Sequence, residues 1–382
     1  MTIVRFLSRS LLFASLFFLS NQVFAQTDSV KTPKYVKYLD LRFENGAMLG
    51  NGTEVGDQLA EASYYNGLDI RLGFRLNDTN SQYSTVYRRP IFGLGWYSST
   101  FHEEAIGKPN ALYFFLTIPF NFEQAKRWTF GYTGAFGLSY NFNPYDPIEN
   151  PTNVFIGSYR NCYVHLGVLA NYHFSDYWSA NATLGFKHFS NGSFKQPNYG
   201  INLVPFTLGV SYKIGKTSVH SYKTAIRPFT KFNLINVDVF AGSKNYVAGD
   251  PNYLKAGISV AAMRKINYRY SLGLGIDAFY AAESQLRNAS DASNFSKSMS
   301  FAVVGTWEWH LTEHLYIPIG LAFYLHRNPE NDEQTPYYER VGIRYRFNNN
   351  IYTGVTIKAH QGVADIFEWT IGYTFQKDPN KY

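Results

Sequence analysis

The chain has 382 residues, of which 45% are hydrophobic, 18% aromatic and only 16% charged, with a net charge of +7. One cysteine, Cys162, excludes a disulfide framework and a multi-cysteine metal site. Soluble chains carry about 25% charged residues. Yet the mean hydropathy is −0.24, and no stretch after the first 25 residues is apolar for the roughly 18 residues that a membrane-crossing helix needs. A helical membrane protein is excluded. Many aromatics, few charges and no long apolar run point to a transmembrane β-barrel.

Arg5 and Arg9 precede an apolar run from Leu11 to Leu19, and Val23-Phe24-Ala25 ends on a small residue. Residues 1–25 read as a secretory signal peptide, and residues 26–382 as the mature chain. No cysteine follows the expected cleavage site, so a lipid anchor is not expected. Beyond residue 25 the chain keeps 33 Lys and Arg against 28 Asp and Glu. That excess is mild and scattered, unlike the clustered basic patch of a nucleic-acid binder.

A period of two then recurs along the whole mature chain. In Leu68–Leu76 the even positions are Leu68, Ile70, Leu72, Phe74 and Leu76, while Asp69, Arg71, Gly73 and Arg75 alternate with them. Successive side chains of a strand point to opposite faces, so one face is apolar and the other charged. In a membrane barrel the apolar face meets lipid and the polar face the lumen. About sixteen such segments begin near Tyr35, Gly67, Pro90, Ala111, Trp128, Cys162, Tyr177, Leu203, Asn233, Leu254, Tyr268, Ser298, Leu315, Tyr338, Ile351 and Asp365. Connections after odd strands include long ones (45–66, 141–161, 282–297). Those after even strands are often tight, as at Ser175-Asp176, Thr312-Glu313 and Asn348-Asn349. Short periplasmic turns and long extracellular loops are the asymmetry of an outer-membrane barrel. The fold class is therefore all-β, a transmembrane antiparallel barrel of roughly 16 strands. The alternative is two tandem 8-stranded barrels, because residues 35–215 and 216–382 look like divergent repeats joined by the looser stretch Gly215 to Thr230.

The seventh segment carries chemistry. Trp178, Ala180, Ala182, Leu184 and Phe186 form its lipid face, and continuing that parity reaches His188 and then Ser190. On the eighth segment the same face, followed back from Tyr212, reaches Asn202. Three polar residues thus end the lipid-facing side of two adjacent strands. Such a cluster is costly in hydrocarbon and tolerable near the headgroups. With a periplasmic N-terminus, odd strands run outward and the cluster lies at the outer leaflet. His and Ser two apart on one strand face can meet as base and nucleophile.

The stretch His188-Phe-Ser190-Asn191-Gly192-Ser-Phe-Lys-Gln-Pro197-Asn198-Tyr-Gly200-Ile-Asn202 resembles the active-site segment of the outer-membrane lipid A 3-O-deacylase family (the PagL, or acyloxyacyl hydrolase-like, family). Asn153-Val-Phe-Ile-Gly-Ser158 resembles the family as well. The likeness spans roughly residues 110–215, and the second half is a faint echo. It implies a small barrel with a lipid-facing site, with lipid A, lipopolysaccharide or another outer-leaflet lipid as partner, in the bacterial outer membrane. It implies Ser190 as nucleophile, His188 as general base, Asn198 as an oxyanion-stabilising donor with Gly192 beside it, and Asn191 as a support. The family's acidic third member falls at Asn202, where this sequence departs from the pattern. Three outcomes follow. Asn202 orients the imidazole at reduced activity; an acid from another loop (Glu103, Glu104, Asp146 or Glu149) replaces it; or the site is silent. Lys187 and Lys195 are candidates to meet lipid A phosphates.

The second half places Ala359 and Gln361 where His188 and Ser190 stand, His360 on the lumen face beside Lys358, and Asp365 at the Asn202-like position without partners. His165, His173, His310 and His314 form no metal-ligand spacing. Serine–histidine chemistry needs no cofactor, and no Ca²⁺ loop of the D-x-D-x-D-G type occurs. The competing reading is a non-catalytic barrel (a pore, transporter or lipid-binding protein) with Asp40, Arg42, Glu44, Asp69, Arg71, Arg75, Arg340, Arg344, Arg346 and Glu368 inside. These charges either line a channel or pair within a packed interior.

Overall fold

The computed structural model describes residues 33–77, 80–122, 127–216, 223–282 and 295–380. The expected signal peptide, 1–25, lies outside them. Eight strands come first: β1 (Tyr35–Leu49), β2 (Tyr65–Leu76), β3 (Ile91–Thr100), β4 (Gly107–Pro119), β5 (Trp128–Phe142), β6 (Asn161–His173), β7 (Trp178–Ser190) and β8 (Ile201–Ile214). Eight more follow: β9 (Phe232–Lys244), β10 (Tyr253–Lys265), β11 (Tyr270–Ala281), β12 (Met299–His310), β13 (Leu315–His326), β14 (Tyr337–Arg346), β15 (Ile351–His360) and β16 (Val363–Gln376). Two short helices decorate the first set, α1 (Glu54–Ala62) and α2 (Gln82–Val86).

All sixteen strands begin within four residues of the starts expected from alternation. They do not close as one ring. β8 pairs back to β1 from Lys37↔Ile214 to Leu49↔Asn202, and β16 pairs with β9, so the chain forms two closed antiparallel barrels of eight. Of the two expected arrangements, the tandem one is adopted. An eight-stranded barrel has a lumen just wide enough for side chains to fill, and the inward residues here are the large aromatics and arginines that fill it. The connection 45–66 is also shorter than expected as a loop: β1 runs on to Leu49, and α1 occupies its centre, with the Thr53 hydroxyl accepting from the Gly56 N–H at 3.1 Å as its N-cap.

The alternation works as read. Along β2, Asp69 and Arg71 are buried and Leu68, Ile70 and Leu72 exposed. Leu112, Phe114 and Leu138 are 59, 72 and 68% exposed, which a water-soluble surface does not tolerate as a continuous band and a lipid-facing one requires. At the end bearing the tight turns, Trp128 packs on Tyr172 (4.9 Å between centroids) and Trp178 on Tyr212 (4.7 Å), an aromatic girdle.

The interior charges are paired. In the first barrel Arg42 meets Asp40 at 2.9 Å, Arg71 meets Asp69 at 2.8 Å, and Lys187 meets Glu44. In the second, Arg340 reaches Asp277 (2.6 Å) and Glu368 (3.0 Å), and Arg344 reaches Asp238 (3.3 Å). Aromatic side chains close the long-loop end of the first lumen, where Tyr97, Tyr113, Tyr163, Phe142, Phe155 and Phe189 pack together. Both lumens are packed cores, as the small-barrel reading requires. Lys187 is fully buried across from Glu44. Removing one partner of a buried pair leaves an uncompensated charge, a loss of about 3–5 kcal/mol. Lys187→Met should therefore lower the thermal midpoint of the heat-modifiable folded band on gels. Adding Glu44→Gln should restore part of the loss. An unchanged midpoint in the single variant would refute the pair's structural role.

The barrels touch at both ends. At the tight-turn end, Val86, Tyr87 and Ile118 of the first pack with Tyr268 and Trp309 of the second, and the Tyr87 hydroxyl donates to the His310 carbonyl. At the other end the contact involves the β7–β8 loop.

Candidate active site

β7 and β8 run antiparallel with His188 opposite Asn202 and Phe189 opposite Ile201. His188 follows Phe186 on the outer face, and the two rings lie nearly parallel, 13° apart with centroids at 6.5 Å. The imidazole Nδ1 lies 2.6 Å from the Asn202 Oδ1. An amide oxygen only accepts, so Nδ1 carries the proton and Nε2 keeps its lone pair. Ser190 has the same strand parity, about 7 Å further along at two residues' rise, and is 3% exposed. His188 and Asn202 are thus brought together at one rim, and Ser190 follows two residues later on β7, where its register partner is Cys162 of β6.

Hydrogen bonds tie the loop 191–200 together from within. Asn198 accepts from the Asn191 N–H through Oδ1 at 2.8 Å. That bond occupies the backbone N–H next to Ser190, a group that often serves as an oxyanion donor. It also leaves the Asn198 Nδ2 beside the Ser190–Asn191 peptide. This Nδ2 is buried and without a hydrogen-bond partner among the described residues. A buried amide donor left unpaired has a cost, and a ligand oxygen would repay it. Asn191 braces the loop from within: its Nδ2 donates to the Ser158 hydroxyl and the Lys195 carbonyl, both at 2.9 Å, and its Oδ1 accepts from the Lys195 N–H at 3.1 Å. Gly192 stands at φ +62, in the left-handed region that favours glycine.

The segment 153–158 supports the loop from the side. Asn153 is fully buried and donates to the carbonyls of Ala105 (3.0 Å) and Asn143 (2.6 Å). The Gly157 N–H donates to the Pro197 carbonyl at 2.7 Å, and the Gly200 N–H to the Phe155 carbonyl at 3.0 Å. Gly200 matters most for the imidazole. It stands at φ +75, and a Cβ there would lie 2.6 Å from Cε1 and 3.3 Å from Nε2 of His188. Only glycine leaves that edge of the ring open. Sequence reasoning passed over Gly200 and Gly157, although the pattern Asn198-Tyr-Gly200 contains the signal.

Several expectations are corrected. Lys187 points into the lumen and is fully buried against Glu44, so it cannot reach a lipid phosphate; Lys195 is exposed. Among the described residues, none of Glu103, Glu104, Asp146 and Glu149 hydrogen-bonds to His188, whose Nδ1 is taken by Asn202. Asp146 is instead a turn acceptor. The N–H groups of Glu149 (3.0 Å) and Ile148 (2.8 Å) hold its carboxyl below the usual carboxylate range. Asp365 does not lack partners: it is buried between Lys244 (2.6 Å), Lys255 (2.9 Å) and Lys358 (3.2 Å) inside the second barrel. His360 does face that lumen, bonded to Tyr324 at 3.0 Å. His173, His310 and His314 are bonded to neighbouring hydroxyl, carboxylate or carbonyl groups, and no cluster among the described residues could hold a metal ion.

Two family models match the chain. Lipid A 3-O-deacylase (PagL) matches residues 66–213, and the C-terminal domain of acyloxyacyl hydrolase (PagL_C) matches residues 233–377. The matches thus cover both barrels, where the sequence motifs alone reached mainly the first. No curated protein matches. Among solved structures, similar ones include an outer membrane channel from Pseudomonas putida F1, at 10% identity over 92% of this chain and 99% of that one, with a TM-score of 0.19. The translocator domain of the autotransporter NalP from Neisseria meningitidis matches at 8% identity over 98% and 96%, with a TM-score of 0.20. The beta domain of the Bordetella autotransporter BrkA matches at 8% over 90% and 100%, with a TM-score of 0.23. Likenesses this slight say nothing about function.

Proposed function

This chain belongs to the lipid A 3-O-deacylase family of the bacterial outer membrane, and we propose that its first barrel hydrolyses an ester-linked acyl chain of lipid A or a related outer-leaflet lipid, with Ser190 as nucleophile and His188 as base. The observation that carries this is the His188 Nδ1 contact to Asn202 at 2.6 Å on the same outward face as Ser190. An esterase of membrane lipids needs its reacting groups on the lipid side of the barrel wall. Here the long odd-to-even connections lie at that end, taken as extracellular.

The chemistry follows in two halves. Ser190 Oγ attacks the ester carbonyl carbon while its proton passes to His188 Nε2. The carbonyl oxygen takes up the electron pair, and the free Asn198 Nδ2–H donates to it. The tetrahedral species collapses, the lipid hydroxyl leaves with the proton from the imidazolium, and the acyl chain stays on Ser190. Water then attacks the acyl-enzyme with His188 again as base, which releases the fatty acid and restores Ser190. Asn202 holds the ring in the tautomer the cycle needs, as the third member does in Cys-His-Asn hydrolases. It supplies no negative charge to the imidazolium.

The direct test is mass spectrometry of lipid A from cells with and without the chain. The expected result is loss of one hydroxyacyl mass in its presence. Identical spectra, with the folded barrel in the membrane, would remove lipid A as the substrate. A second expectation arises from Gly200. Gly200→Ala should push the imidazole from its place and lower kcat by about 10- to 100-fold, the scale of a 1 Å misplacement, while the folded band persists. Full activity in that variant would show that the ring edge facing Gly200 is not the working edge.

A further inference from the structure

We propose that the second barrel is the positioning platform of the catalytic loop, and that Asn245 and Phe367, from the second barrel, set the geometry of Ser190 and Asn198. This rests on the reading of Ser190 as nucleophile. The tip of loop 191–200 does not float above the first barrel. Asn245, just after β9 and 3% exposed, donates its backbone N–H to the Ser193 carbonyl at 2.8 Å. Its Oδ1 accepts from the Gln196 N–H at 3.2 Å, and its carbonyl accepts from the Gln196 side chain at 3.3 Å. Asn252 Nδ2 donates to the Phe194 carbonyl at 3.0 Å, and the Ser193 hydroxyl donates to the Ala364 carbonyl at the start of β16 at 2.6 Å. Gly192 rests on the Phe367 ring so closely that a Cβ would lie 2.2 Å from Cδ2.

These contacts bracket the reacting groups. Gly192 is two residues after Ser190, and Gln196 is two before Asn198. The loop's other side is bonded to the first barrel through Gly157, Ser158 and Phe155. The tip therefore spans the two barrels, and shifting one anchor moves the Asn198 amide relative to Ser190. A loop of this length held from one side only has the freedom that catalytic preorganisation must remove. The second barrel carries Ala359 and Gln361 in place of a base and nucleophile, and this gives it a role without its own chemistry.

The test uses the full chain in membranes with a lipid A substrate. Asn245→Ala removes the acceptor for the Gln196 N–H. It should lower kcat about 10- to 100-fold with KM within twofold, and slow the labelling of Ser190 by a fluorophosphonate probe in parallel. Asn245→Asp keeps that acceptor and sets a carboxyl oxygen in place of the donor to the Asp250 carbonyl (2.7 Å). It should restore most of kcat. A merely structural role for the β9–β10 loop predicts equal losses in both variants. If Asn245→Ala does not fold, Phe367→Leu is read instead, with a kcat loss of about tenfold expected and the same labelling test. Normal kcat and labelling in the folded variants overturn the proposal. If Ser190→Ala keeps activity in the same assay, it is the nucleophile reading that fails.

Discussion

Ser190→Ala should abolish lipid deacylation while leaving the folded barrel in the membrane. Removing the serine of an established serine hydrolase has cost about 10⁶ in kcat, with the remaining acceleration of about 10³–10⁴ over water coming from binding and the oxyanion donors. A drop of at least 10³ is therefore expected here, with the mass shift of lipid A lost. Ser190 pairs with Cys162 of β6 through the backbone alone, which alanine keeps, so the heat-modifiable band and its midpoint should stay as in the unmodified chain. If His188 takes the Ser190 proton as proposed, the reaction of Ser190 with a fluorophosphonate should also depend on that base. His188→Ala should suppress labelling. Activity retained in Ser190→Ala would mean that the motif serves the fold and that the barrel acts in another way.

Asn202→Asp should raise kcat by about 10- to 100-fold. The contact to Nδ1 at 2.6 Å already orients the ring, so the substitution adds charge and not geometry. Hydrogen bonds to a charged group contribute about 1.5–3 kcal/mol against about 1 for neutral ones, and each 1.4 kcal/mol is tenfold in rate. In a serine protease the reverse change loses about 10⁴, part of it through the wrong tautomer. Here the tautomer is right, so the gain is smaller. Near the headgroups a carboxylate on the outer face costs little, and the barrel should still fold. Asn202→Leu removes the acceptor and should lower kcat about 100-fold. If Asp and Leu both leave kcat unchanged, the imidazolium is not stabilised from this side, and the orienting role of Asn202 is wrong.

Much of the fold was legible because strand alternation is a local property. Two residues of each strand suffice to say which face meets lipid, and Asp69, Arg71 and Arg75 lie inside, as their parity requires. The same rule gave His188, Ser190 and Asn202 one parity, and the register puts His188 opposite Asn202. The resemblance in residues 188–202 is what suggested the chemistry proposed for them. Ring closure was not legible. Whether β8 pairs with β1 or with β9 is a choice among strands of equal local quality. It is decided by which interior side chains can fill a lumen, a sum over residues from all parts of the chain. The partner of a buried charge is long-range too: Lys187 finds Glu44 across 143 positions, and Asp365 finds Lys244 across 121. Read locally, the first was a surface cation and the second an unpartnered acid.

The sequence by itself determined the class, the membrane and the face on which His188 and Asn202 lie, because each depends on residue type and on a period of two. Only the tertiary structure decided that there are two barrels, that Asn202 meets the His188 imidazole with no carboxylate beside it among the described residues, and that the β7–β8 loop is bonded to both barrels. Those outcomes depend on which segments far apart in the chain come to share a rim, and close packing settles that only when the whole chain is in place.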